Sequence, residues 1–194
     1  MDITFLSGKN QEKIVYKELP NNSKKFIIKN YNTKFWLTAI LFVTLSFLLL
    51  NYKRYGENNG EFPLDRAFII VGIIIGLILI LLHEILHLIP YPKNDIKIIV
   101  FSFFKVYSFC AAPIEKSKFI LSSLLPMLLG IIPMFVFLVF PVDYGQINAI
   151  LWGMGSVGLV VCTSDFVEGV SAVFQVPKNN LIQSSSDGFY YFEK

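Results

Sequence analysis

The sequence predicts an all-α membrane protein with four transmembrane helices and a short cytoplasmic-side β-hairpin between helices 2 and 3. Three observations carry this. The 194-residue chain is 54% apolar and only 16% charged, where a soluble domain carries about 25% charge. The charges lie in blocks between long uncharged stretches, as in multi-span membrane proteins. Four of those stretches are near the roughly 20 residues that a helix needs to cross a bilayer core. The same figures exclude an ordinary soluble enzyme, a disordered chain and a basic nucleic-acid module, since the net charge is only +3. Cys110 and Cys162 form no close-spaced pair, so the sequence supports neither a cysteine-based metal knuckle nor a disulfide framework.

Residues 1–34 are polar and lysine-rich and form a cytoplasmic N-terminal segment. They lack the short apolar run of a cleaved signal peptide. Ile14-Val15-Tyr16 and Phe26-Ile27-Ile28 are short apolar pieces that suit strands or an interfacial segment. Residues 35–177 form the four-span membrane domain. The first span runs over about 35–52, where flanking lysine stems can snorkel. The second covers 67–89 and ends at Pro90. The third covers 119–142 and holds Pro126 and Pro133, which kink it; membrane helices tolerate such kinks where neighbours satisfy the freed carbonyls. The fourth covers 146–174 and ends before Pro177. A tight loop at Pro141-Val142-Asp143-Tyr144-Gly145 makes the third and fourth an antiparallel hairpin.

Residues 96–112 are rich in β-branched and aromatic types and broken by Lys97, Ser102, Lys105 and Ser108. They read as two strands at the membrane surface, with a re-entrant helix as the alternative. Residues 178–194 read as a flexible cytoplasmic tail. Fourteen lysines and arginines fall on the side of the termini and the 90–118 loop, against three on the other. The positive-inside rule therefore puts both termini in the cytoplasm of a multi-pass cell-membrane protein.

The chain has two histidines, and both belong to His83-Glu84-Ile85-Leu86-His87 at the end of the second span. On a helix, residues four apart share one face. Two imidazoles so placed can bind one Zn²⁺, and the glutamate between them can reach a metal-bound water as general base. The plainer reading is two histidines capping a helix end with Glu84 reaching for water. Membrane burial favours the metal, because ionisable clusters inside a bilayer mark functional sites.

A catalytic zinc takes a third protein ligand. With no other histidine, that ligand is an acid. Asp165 and Glu168 are the two acids of the third and fourth spans that lie well away from the connecting loop. His83 and His87 lie 17 and 21 residues beyond Arg66, and Asp165 lies 19 beyond Gln146, so the three reach nearly one depth at about 1.5 Å rise per residue. No lysine, arginine or histidine lies between Phe119 and Pro177 to neutralise a buried Asp165. Asp165 is thus the favoured ligand, and Glu168, one turn on, the alternative. Gly72, Gly76 and Gly158 suit a close contact of spans two and four.

These features together resemble the small bacterial integral-membrane proteins of the Putative zincin peptidase family. The likeness rests on four spans, the His83–His87 motif closing the second, a strand-rich loop, a proline-containing third span and an acid late in the fourth. More distantly they resemble site-2 proteases, whose metal is held within the membrane by two histidines and an aspartate. The resemblance implies His83, His87 and Asp165 as zinc ligands and Glu84 as base. Phe166 follows Asp165 where site-2 proteases usually have glycine, and Thr163-Ser164 stands where they carry Asn-Pro. Asn148 is too distant to serve as oxyanion donor, so none is assigned.

The expected function is an intramembrane zinc metalloprotease acting on membrane-associated polypeptides, with the bilayer as its other partner and no nucleic acid. A catalytically silent zincin-like scaffold is the second reading and a metal-handling membrane protein the third. The strand-rich loop is either a docking edge for an extended substrate or a surface hairpin without a ligand.

Overall fold

The computed structural model describes residues 3–7, 16–102 and 105–194. In chain order these form β1 (Ile3–Ser7), β2 (Lys24–Lys25), α1 (Tyr31–Gly56), α2 (Arg66–Ile78), α3 (Ile80–Leu88), β3 (Lys97–Ser102), β4 (Lys105–Cys110), β5 (Ile114–Glu115), α4 (Lys116–Leu124), α5 (Leu128–Val139), α6 (Gly145–Val161), α7 (Thr163–Gln175), β6 (Asn180–Ser185) and β7 (Gly188–Glu193). The chain divides into two compact units, residues 31–80 with 126–164 and residues 1–30 with 81–125 and 165–194.

The first unit holds α1, α2, α5 and α6, and its centre is α6. Glycines set how closely its neighbours approach. Gly72 of α2 lies against the Ile150 backbone, and Gly153 of α6 lies against the Ile69 carbonyl. On another side, Gly158 and Gly155 of α6 meet Gly130 and Met134 of α5. Trp152 Nε1 donates to the Ser46 carbonyl of α1 at 3.0 Å. Such close packing of small residues replaces the hydrophobic effect, which does not act between helices in lipid. The outer surface is correspondingly apolar: Ile70, Ile78 and Phe135 are each more than 60% exposed. Three helical segments, Tyr31–Glu57, Arg66–Leu88 and Lys116–Val139, are long and apolar enough to cross a bilayer, and they mark a membrane protein.

The second unit contains two sheets. One has the order β1-β3-β4, with β1 parallel to β3 and β3 antiparallel to β4. Leu88 at the end of α3 packs with Ile99, Cys110 and Ala112 of this layer. The other has the order β2-β7-β6-β5 and is antiparallel throughout. Its core joins Phe26, Ile114 and Ile182 to Phe119 of α4 and to Ala172 and Val176 at the end of α7. Lys116 Nζ caps α7 by donating to the carbonyls of Val173 and Val176 at 2.8 and 2.6 Å.

The architecture departs from the sequence expectations in four places. It is not all-α: besides the expected strands at 96–112, it contains β1, β2, β5, β6 and β7. The tail expected to be flexible is the β6–β7 hairpin, which pairs from Asn180↔Glu193 to Ser185↔Gly188. Phe189 to Phe192 supply the aromatic residues that favour a strand, and Gly188 takes the positive φ of the turn. The fourth span is not one helix, because a break at Cys162 separates α6 from α7. It counts as a crossing only if both parts are taken together. Gly158 faces Gly130 of α5 rather than α2; Gly153 makes the contact with α2 instead. The segment at 96–112 is a pair of antiparallel strands and not a re-entrant helix. Ile14 and Val15 lie outside the described residues, and Phe26-Ile27-Ile28 follows β2 as a non-strand segment with Phe26 in the core.

Candidate metal centre

The site is built from residues of α3, α4, β4 and the first turn of α7 that belong to the second unit. The four-residue spacing on α3 brings His83 and His87 to one face, with their Nε2 atoms 3.1 Å apart. Asp165, in the first turn of α7, approaches both. Its Oδ2 is 3.1 Å from His83 Nε2, and its Oδ1 is 3.5 Å from His87 Nε2. Asp165 thus lies with the histidines, as its depth and isolation predicted. Among the described residues these three are the group of His, Cys, Asp and Glu side chains whose ligand atoms converge, all within 4.8 Å of one another. Glu168, the alternative ligand, is not in that group.

The arrangement fits a metal cation better than internal hydrogen bonding. His87 Nδ1 is 2.8 Å from the Ser122 carbonyl of α4. A carbonyl oxygen only accepts, so Nδ1 carries the hydrogen and a neutral imidazole leaves its lone pair on Nε2. Asp165 Oδ2 is enclosed, and no N–H or O–H among the described residues is aimed at it. Lone pairs of nitrogen and oxygen therefore converge where a buried carboxylate oxygen lacks a donor. Atoms bound about 2.0–2.1 Å from a tetrahedral centre lie about 3.3 Å apart. The two Nε2 atoms, 3.1 Å apart, and the 3.1 Å from His83 Nε2 to Asp165 Oδ2 are close to that value, while His87 Nε2 is 3.5 Å from the other carboxylate oxygen, Oδ1. Two imidazoles and one carboxylate form a donor set that suits zinc.

Glu84, between the two histidines, is buried and turns to the strands. Its Oε2 accepts the Ser108 backbone N–H of β4 at 2.7 Å. Among the described residues β4 is an edge of its sheet, and this N–H lies on the side away from β3. Ser122 contacts His87 twice, because its hydroxyl also donates to the His87 carbonyl at 2.6 Å. Tyr91, three residues past α3, accepts Lys97 Nζ on its carbonyl at 3.1 Å. Burial holds its phenol well above the usual pKa, so it stays an O–H donor.

Sequence reasoning missed Ser108 and Ser122. Ser108 acts through a backbone N–H, which any residue type but proline supplies, so nothing in the sequence could have pointed to it. Ser122 left one trace, a proline four residues downstream.

These features describe a membrane protein in which a helix-borne His-Glu-x-x-His motif lies beside an aspartate distant in sequence. The sequence profile of the Putative zincin peptidase family matches residues 76–181, more than half of the chain and all of the site. The chain belongs to this family. No curated protein matches it. No solved structure matches it either.

Proposed function

We propose that the protein is an intramembrane zinc metallopeptidase that hydrolyses peptide bonds of membrane-associated polypeptides. The observation that carries this reading is the convergence of Asp165 on the Nε2 atoms of His83 and His87 across nearly eighty residues of chain. His83, His87 and Asp165 would hold Zn²⁺. When bound, zinc supplies Lewis acidity, lowering the pKa of a water and polarising the scissile carbonyl.

The chain's own residues supply the rest. The Ser108 N–H holds one oxygen of Glu84 and leaves the other to take a proton from the attacking water. The same carboxyl then delivers that proton to the departing amine. The edge that β4 presents among the described residues offers backbone groups to an extended substrate beside Glu84, in the manner of strand addition. A transmembrane substrate must unwind locally to pair in this way. The lysine and arginine distribution supports placing both termini and β3–β4 on the cytoplasmic side of a bacterial cell membrane.

The test is zinc content of the detergent-purified protein beside His87→Ala, Asp165→Ala and Glu84→Gln, with cleavage of membrane-associated polypeptides followed in parallel. About one zinc per chain is expected, lost in the first two variants and kept in Glu84→Gln. Cleavage should fall about 10²–10⁴-fold in Glu84→Gln, the usual contribution of a general base. Folded wild-type protein that takes up no zinc refutes the reading. Cleavage that survives in Glu84→Gln removes Glu84 as base.

A further inference from the structure

The third apolar segment is interrupted at Pro126, and this interruption bears on His87. In α4 the last regular rung runs from the Leu125 N–H to the Leu121 carbonyl. The next rung would join residue 126 to the Ser122 carbonyl, but proline has no N–H to give. Ser122 is buried, so its carbonyl needs another donor. His87 Nδ1 occupies that place at 2.8 Å. In return the Ser122 hydroxyl donates at 2.6 Å to the His87 carbonyl, one of the last four of α3, which have no intrahelical partner. The first of these two bonds places the hydrogen on Nδ1 and orients the ring, and the second ties Ser122 to the His87 backbone. The ring's Nε2 is thereby turned to His83 and Asp165.

We propose that Pro126 is a positioning residue for the metal-binding nitrogen of His87. By withholding the backbone donor of an unbroken helix, it reserves the Ser122 carbonyl for His87 Nδ1–H and so holds the lone pair on Nε2. The inference rests on the zinc reading for its purpose, but the hydrogen-bond exchange itself does not require the metal. Pro133 provides the internal comparison. It lies within α5 and frees the Leu129 carbonyl in the same way, with no histidine on that carbonyl among the hydrogen bonds of the described residues.

The chain's two histidines make the test direct. Nitrogen-15 NMR of the imidazole-labelled full chain in detergent, at alkaline pH without metal, reads both tautomers, with His83→Gln assigning the signals. His87 in the wild type should be the Nδ1–H tautomer. In Pro126→Ala the new N–H competes for the Ser122 carbonyl. His87 should then become a tautomer mixture, and zinc affinity, read by competition with a chromophoric chelator, should fall about 10-fold or more. Pro133→Ala should leave both readouts at wild-type values. An Nε2–H tautomer in the wild type overturns the proposal before any variant is made. So does a Pro126→Ala protein with an unchanged tautomer, or equal shifts in Pro126→Ala and Pro133→Ala. If the wild type holds the expected tautomer but takes up no zinc, the zinc reading fails and the tautomer assignment stands.

Discussion

Replacing Gly72 by alanine tests the helix packing, because its effect can be worked out from the structure. A Cβ on Gly72 would lie 2.4 Å from the Ile150 carbonyl oxygen, 2.9 Å from its Cα and 3.0 Å from its carbonyl carbon. Ordinary contact begins near 3.4 Å, so α2 and α6 must separate by about 1 Å. All three atoms are backbone, and no side-chain rotation relieves the clash. The same shift loosens Gly153, whose own Cβ position is 2.8 Å from the Ile69 carbonyl and 3.3 Å from Gly72 Cα. Overpacking of this kind costs about 1–3 kcal/mol. With rigid backbone on both sides we expect the upper part of that range. Alanine returns up to about 1 kcal/mol of helix propensity, leaving a net loss of about 1–2 kcal/mol. Gly56→Ala is the control: it ends α1, and no atom lies within 4 Å of its added Cβ, so only the propensity gain applies. Unfolding in detergent, followed by the fluorescence of Trp152 on α6, measures both. A Gly72→Ala protein as stable as wild type, or a Gly56→Ala protein that loses as much, refutes the packing argument.

Two further outcomes follow from polar groups elsewhere. Lys53 is fully buried at the end of α1 and donates to the carbonyls of Phe137 and Phe140 and to Asn148 Oδ1. Lys53→Met keeps much of the apolar stem but strands these acceptors. We expect a loss of about 2 kcal/mol or more in the same unfolding assay; an unchanged midpoint would show that the acceptors find other donors. On the β7 side, the hydrogen bond from Lys25, helped by Tyr190, holds the Asp187 carboxyl below its ordinary range. A lowered folded value means that its stabilisation is complete above the unfolded value of about 3.9 and is lost as pH falls through the folded one. The stability difference between wild type and Asp187→Asn should therefore be small in this exposed, salt-screened cluster and shrink on acidification. A difference that grows on acidification contradicts this.

The sequence by itself determined the features that depend on local spacing. Apolar runs between charged blocks marked the helices that can cross a bilayer. The four-residue interval put His83 and His87 on one face. Asp165 was legible for a less direct reason: in a stretch without cations, a buried carboxylate needs a partner from elsewhere, and the depth count pointed to the histidines. Tertiary structure decided what depends on distant or backbone partners. β1 pairs with β3 across about half of the chain and β2 with β7 across most of it, and two- to six-residue strands carry too little periodicity to announce such partners. Tertiary packing also decided that Gly153, not Gly158, meets α2, since glycines along a helix look alike until a neighbour chooses a face. The supports of the site were the least legible. Glu84 is held by a backbone N–H and His87 by a backbone carbonyl, groups that nearly every residue carries, so only the folded chain shows which of them are left open to accept or donate.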